Sequence, residues 1–417
     1  MKRLFLLFSY LAVTAACSTV ASGTADQAAF VPTEDVVPTT TPLYRLAETT
    51  HPVPTVTSTP TYPATPIPEP YYLEATVWTS ELQVPILVYH RFLPDHYEYS
   101  TKVKTRLGDF RAHLESLYSS GYSLVSLSDW LEGNLHVSEG RRPLILTIDD
   151  LFFADQISLT EGGKPSLESG LGVLWHFYLE HPDFGFHVAL FPNLGDKLYP
   201  DGEGELARVI AWCIEHDAIP YNHFYMHPRL DLTEPRWIPV EAERNDIYLR
   251  ELLRMVERED LISYLGNIIA IPYGIWPSSK AGRDALFSYV SPEGVPLQAV
   301  LEADYAVRAK YLLPPFSPDF DPWHVPRIVG TQQAIDLLTE HHELFPVAWK
   351  CEVGPLDASR IQDQTYLEDQ VLETHHKGNC PDGVYILQGW IYHVDESGLN
   401  LLYSSTPFAT STEDHPD

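Results

Sequence analysis

The sequence predicts an α/β fold, a distorted (β/α) barrel of about seven parallel strands, and three observations carry that expectation. Short apolar runs alternate with amphipathic helical patterns from about Leu82 to Thr331. A stretch of this length suits a barrel of β/α units. The apolar runs also end in polar residues of acid-base or metal-binding types, and in a parallel barrel every C-terminal strand end opens onto one face.

In order, the strands are read at "VPILVYH" (84–90), "PLILTIDD" (143–150), "FHVALFPN" (186–193), "IPYNHF" (219–224), "NIIAIPYG" (267–274), "DYAVRA" (304–309) and "HVPRIVG" (324–330). Between them, "LGDFRAHLESLYSSG", "LESGLGVLWHFYLEH", "GELARVIAWCIEHD" and "NDIYLRELLRMVERED" repeat apolar residues at helical spacing. The strand ends supply His90, Asp149, Asp150, Asn193, His223, Tyr273 and Arg327, which this fold would gather at one mouth.

The flanks read differently. "MKRLFLLFSYLAVTAACS" places Lys2 and Arg3 ahead of an apolar run too short to span a membrane, then small residues up to Cys17. Residues 1–17 are therefore expected to be a lipoprotein-type export signal, with the chain anchored through a lipid on Cys17, or else secreted. Residues 18–81, rich in Thr and Pro, are expected to be a disordered linker. Residues 332–417 form a small C-terminal α+β appendage: a helix in "TQQAIDLLTEHHELFPV", then a hairpin in "CPDGVYILQGWIYHVDESG". Its Tyr385, Trp390 and Tyr392 are either core or a sugar-stacking surface. Export permits Cys351 and Cys380 to pair, while Cys213 reads as a buried thiol.

Charge narrows the partners. Lys+Arg number 27 against 57 Asp+Glu, a formal charge of -30 over 417 residues, which repels nucleic acid and anionic lipid. Membrane contact is expected only through the N-terminal anchor, and the chain is expected to be a monomer.

The chemistry is read from "TIDD" and "YNHFYMHPRL". His223 and His227, at i and i+4, face one way on a helical turn and can share a cation. Two His and one Asp with an open position form a catalytic zinc arrangement. The adjacent carboxylates then divide the work, one as ligand and the other accepting a proton from water.

"PILVYH", "TIDD", "NHFYMHP" and "IPYG", in this order, resemble the motifs of the polysaccharide deacetylase family (carbohydrate esterase family 4, the NodB-homology domain), with residues 82–331 as a divergent member. The resemblance implies Asp149 as the base and Asp150, His223 and His227 as ligands of a divalent metal, zinc first, with cobalt or nickel fitting the same set. It places Pro272 and Tyr273 at the substrate groove, with the Tyr273 backbone in the oxyanion site, and sets Arg327 among the same substrate residues through a loose match of "DFDPWHVPRI", together with Asp321 and Trp323. Leu151 and Ala270 depart from it, standing where the family usually has Gly and often Arg. The late histidine that serves the family as general acid has no equivalent here. By chemistry His90, His324 and His393 are the candidates, and His90 is favoured because it ends a strand on the presumed active face.

The implied function is metal-dependent removal of N-acetyl groups from an acetylated cell-wall or extracellular polysaccharide. Two alternatives are a catalytically impaired glycan-binding surface protein and a glycoside hydrolase barrel, which would need a second carboxylate and no metal.

Overall fold

The computed structural model describes residues 70–404, apart from 79–82, 134–136, 152, 304–314, 316–319, 343–344 and 346. The export signal, Cys17, most of the linker and the strand expected at 304–309 lie outside the described residues.

Strand β1 (Tyr71–Trp78) comes first, followed by β2 (Ile86–Tyr89) and a short parallel pair, β3 (Arg91–Leu93) and β4 (Lys104–Arg106). Next come α1 (Leu107–Ser119), β5 (Tyr122–Leu124), α2 (Leu127–Leu131), β6 (Arg142–Asp149), α3 (Gly170–Glu180), β7 (Val188–Phe191), α4 (Glu203–Glu215) and β8 (Ala218–Pro220). The framework ends with α5 (Trp237–Met255), β9 (Ile268–Ala270), α6 (Lys280–Phe287), β10 (Ala299–Leu301), β11 (Ile328–Val329) and α7 (Gln332–Glu340). Helix α1 illustrates why these segments fold as they do. Phe110, His113, Leu114 and Leu117, spaced three and four apart, form its buried stripe. Ser169, Ser279 and Thr331 accept backbone N–H groups at the starts of α3, α6 and α7.

Strands β11, β2, β6, β7 and β8 pair in that order and in parallel, and β5 adds to the start of β6. A separate parallel pair joins β9 and β10. Single parallel bridges, Asn222 to Ile269 and Leu301 to Val325, link the two ladders. The parallel α/β architecture is thus present, but hydrogen bonding divides it into two ladders instead of the continuous barrel expected. The strands at this seam are two or three residues long, too short for an extended ladder. Strand β10 was not legible because its run, "AVL", has only one β-branched residue.

The linker boundary at residue 81 is corrected by β1. After it, β12 (Ala348–Leu356), α8 (Gln364–His376), β13 (Gly383–Leu387), β14 (Trp390–Asp395) and β15 (Gly398–Ser404) complete an antiparallel sheet in the order β12-β1-β13-β14-β15. Burial along β1 explains its interior place in this sheet, between β12 and β13. Leu73, Ala75 and Val77 join the core shared with Leu367 and Val371 of α8, while Trp78 enters the core containing Trp130, Ile86 and Ile145. Tyr385 and Tyr392 are fully buried in the α8 core, so these two rings are core and not a sugar platform, while the half-buried Trp390 packs against that core. Cys351 and Cys380 are disulfide-bonded, and Cys213 is a buried free thiol.

The appendage docks where β6 begins, with backbone bonds between Ala348 and both Gly140 and Arg141. It therefore braces the strand ends opposite the mouth. Because burying each large apolar side chain contributes about 1.5–3 kcal/mol, a chain starting at Glu81 is expected to lose cooperative folding of the appendage. A chain starting at Pro70 should keep the full-length melting temperature; equal melting of the two truncations in a thermal scan would contradict the role given to β1.

Candidate active site

Strand β6 is buried along most of its length and delivers Asp149 at its last position. Asp149 is almost fully buried, a costly location for a carboxylate without a partner. Its partner is Arg327, which donates from Nη1 to Oδ1 at 2.6 Å and from Nη2 to Oδ2 at 2.8 Å. Arg327 also donates to Thr147 Oγ1 at 3.1 Å and from Nε to the Glu302 carbonyl at 2.9 Å. Burial raises the Asp149 pKa, but the charge of Arg327, helped by His223 and His90, outweighs it and holds the group at about 2.

This geometry corrects the position expected for Arg327. It is 0 % exposed, spends its fork on Asp149, and lies beneath the site instead of lining the substrate groove.

Asp150 follows with φ 61°, so its side chain turns away from the strand. Phe224 (φ 60°), His227 (φ 48°) and Tyr273 (φ 59°) are also left-handed. A non-glycine residue there costs roughly 1–2 kcal/mol, and four such residues sit at the strand exits that form the mouth. The expected helical turn over His223–His227 is absent; this segment is irregular. Its two left-handed residues, not helical spacing, bring the imidazoles together.

His227 Nε2 lies 3.1 Å from His223 Nε2 and 3.4 Å from Asp150 Oδ1, and His223 Nε2 lies 3.8 Å from Asp150 Oδ1. Ligands about 2.0–2.1 Å from a tetrahedral ion stand about 3.3–3.4 Å apart, so the residues fit a zinc-like cation. Among the described residues, this is the group of His, Cys, Asp and Glu side chains compact enough to hold one. The tautomer agrees. His223 Nδ1 is 2.7 Å from the Ala270 carbonyl, which can only accept, so Nδ1 carries the proton and Nε2 presents a lone pair. Because the contact is to backbone, it does not depend on the side chain at position 270.

Burial lowers the pKa of both histidines, keeping them neutral. Burial and the neighbouring Asp149 charge raise that of Asp150. A cation would offset the burial and repulsion at Asp150 and would be met by imidazoles already neutral.

The other expected residues separate by position. His90 Nε2 is 4.0 Å from Asp149 Oδ2, and its buried Nδ1 has no hydrogen-bond partner among the described residues. Pro272 begins a short 3-10 turn that exposes Tyr273, whose ring lies 4.4 Å from that of His227. His324 instead pairs with Glu302 at 2.9 Å and packs on Trp276. His393 lies on β14 in the appendage, against Asp395. Asp321 accepts from the Trp323 N–H at 2.9 Å in a local turn.

Leu151 is buried and anchors the loop leaving Asp150. Gln156 then ties that loop to both strand exits by donating to the carbonyls of Asp149 at 2.6 Å and His90 at 2.9 Å.

Sequence reading missed Gln156, Asn222 and Asn245 and gave Asn193 no role. Asn193 donates to Asp150 Oδ1 at 3.1 Å. Asn245 carried a signal: it lies four residues before Leu249 and seven before Leu252, on the stripe that α5 buries.

No family model and no curated protein matches the chain. Solved structures do. The deacetylase PplD of Streptococcus pyogenes, in complex with acetate, is 15% identical with a TM-score of 0.40, the match covering 60% of this chain and 92% of that one. IcaB from Ammonifex degensii is 17% identical at a TM-score of 0.42, with coverage of 63% and 97%. A de-N-acetylase from Aggregatibacter actinomycetemcomitans is 11% identical at a TM-score of 0.41, with coverage of 62% and 99%. Two of these three are deacetylases by name.

Proposed function

We propose that this chain is an exported, surface-tethered hydrolase that removes N-acetyl groups from the amino sugars of a cell-wall or extracellular polysaccharide. The observation that carries the reading is the Asp150, His223 and His227 cluster beside a separate carboxylate, Asp149, kept ionised by Arg327.

Asp150, His223 and His227 would hold a divalent cation, zinc first, with cobalt or nickel accepted by the same donors. When bound, the cation supplies Lewis acidity, polarising a carbonyl and acidifying water. Asp149 accepts the proton of the attacking water as its oxygen bonds to the acetyl carbon. As the motif resemblance implies, the Tyr273 backbone N–H would donate to the oxygen that gains charge. The proton that Asp149 accepts passes to the departing nitrogen through His90, 4.0 Å from Asp149, as the C–N bond breaks. Water and amide become acetate and a free amine.

The Cys351–Cys380 disulfide supports export, because such bonds persist in oxidising compartments. Lipid attachment at Cys17 would hold the monomer at the surface, while the net charge of -30 disfavours nucleic acid as a partner.

The test is metal content combined with acetate release from N-acetylglucosamine oligomers and peptidoglycan. Release should stop with a chelator and return with zinc. Glycan binding without acetate release across the panel would favour the impaired, glycan-binding reading, and zinc-free activity would remove the metal from the reaction.

A further inference from the structure

The three ligand side chains come from two strand exits, Asp150 after β6 and the two histidines after β8, with the exit of β7 between them. Their spacing therefore depends on how the β7 and β8 exits are held together. The residue at that junction is on neither strand. Asn245, on α5 and 0 % exposed, accepts from the Leu194 N–H at 2.9 Å and donates from Nδ2 to the Pro192 carbonyl at 2.8 Å. It thereby brackets Asn193, the residue that donates to Asp150. The Pro192 carbonyl also accepts from the His223 N–H at 3.2 Å.

Asn222 extends the clamp. Its Oδ1 lies 3.4 Å from Asn245 Nδ2 and accepts from the left-handed Phe224 N–H at 2.8 Å, while its Nδ2 donates to the Ala242 carbonyl at 2.8 Å. Both amides are buried, so water offers no ready substitute for these bonds.

We infer that Asn245, with Asn222 as its partner, is a positioning residue that sets the separation of Asp150 from His223 and His227 by locking the exits of β7 and β8 together. It touches neither the cation nor the substrate. The inference rests on the metal site proposed above and adds a geometric determinant of its affinity.

The experiment measures the zinc dissociation constant of full-length protein by competition with a chromophoric chelator, in wild type, Asn245→Ala and a control, Asn267→Ala. Asn267 is also buried and donates to the Val295 carbonyl at 2.9 Å, but it precedes β9, at the strand end away from the mouth. Asn245→Ala should weaken zinc about 10–100-fold, the usual effect of losing a group that orients ligands. It should also change the visible bands of the cobalt-loaded protein, which report ligand geometry. Asn267→Ala should lower the melting temperature without altering either readout.

A cooperatively folded Asn245→Ala with wild-type zinc affinity and cobalt spectrum would overturn the inference and leave the metal site standing. Absence of zinc uptake by wild type would overturn the metal site and the inference with it. If Asn245→Ala does not fold, Asn222→Ala is read in the same way; failure of both to fold would make the pair structural and reject the positioning role.

Discussion

Asp149→Asn is expected to cut acetate release by about 10²–10⁴-fold, the usual contribution of a positioned general base, while zinc content stays at the wild-type level. The two readouts separate because Asp149 lies outside the ligand triangle: its nearest histidine nitrogen is His223 Nε2 at 3.9 Å, and both its oxygens are engaged by Arg327. Asp150→Asn weakens the ligand set itself, so there metal and activity should fall together. Plasma emission for zinc and an enzymatic acetate assay on the same preparations decide the assignment. Full activity in Asp149→Asn would exclude it as the base, and loss of zinc would make it a ligand.

The largest stability effect is expected from Arg327→Leu. A buried ion pair contributes little net stability relative to a well-packed apolar pair, but removing one partner strands the other charge. Arg327→Leu leaves the Asp149 carboxylate in a nearly water-free site without its main counter-charge, at a cost of about 3–5 kcal/mol. Urea unfolding should register that loss. Asp149→Asn/Arg327→Leu should recover part of it, because the amide no longer carries the stranded charge. A single variant as stable as wild type, or a double variant no better than the single, would show that the pair does not hold this part of the fold.

Much of the site was legible because its residue types are chemically unusual where they occur. An apolar strand has no packing use for two terminal carboxylates, so "TIDD" marked Asp149 and Asp150. "YNHFYMH" likewise marked His223 and His227, although through a helical spacing that the chain does not adopt. The left-handed residues at Phe224 and His227 bring the rings together instead, and such conformations have no dependable signature outside glycine and asparagine. Arg327 was recognised as a strand-end residue but set among the substrate residues, with no partner named, whereas its guanidinium is spent on Asp149. Its sequence position indicates which strand carries it, not whether the guanidinium turns outward or beneath the site.

The same distinction applies to the fold. Period and composition identified β2, β6, β7 and the helices α1, α3, α4 and α5, because local burial patterns are written directly in the order of residues. Tyr71–Trp78 was hidden beside the Thr/Pro-rich segment, since a strand paired with residues some 280 positions away is recognised by its partners, not by its neighbours. By itself the sequence determined the parallel α/β class, the carboxylate pair and the histidines that accompany it. Only the tertiary structure decided that Arg327 neutralises Asp149, that β1 closes the base and that Asn245 joins two strand exits. Each of these is a contact between distant segments, and its energy depends on burial and distance that no local stretch of chain encodes.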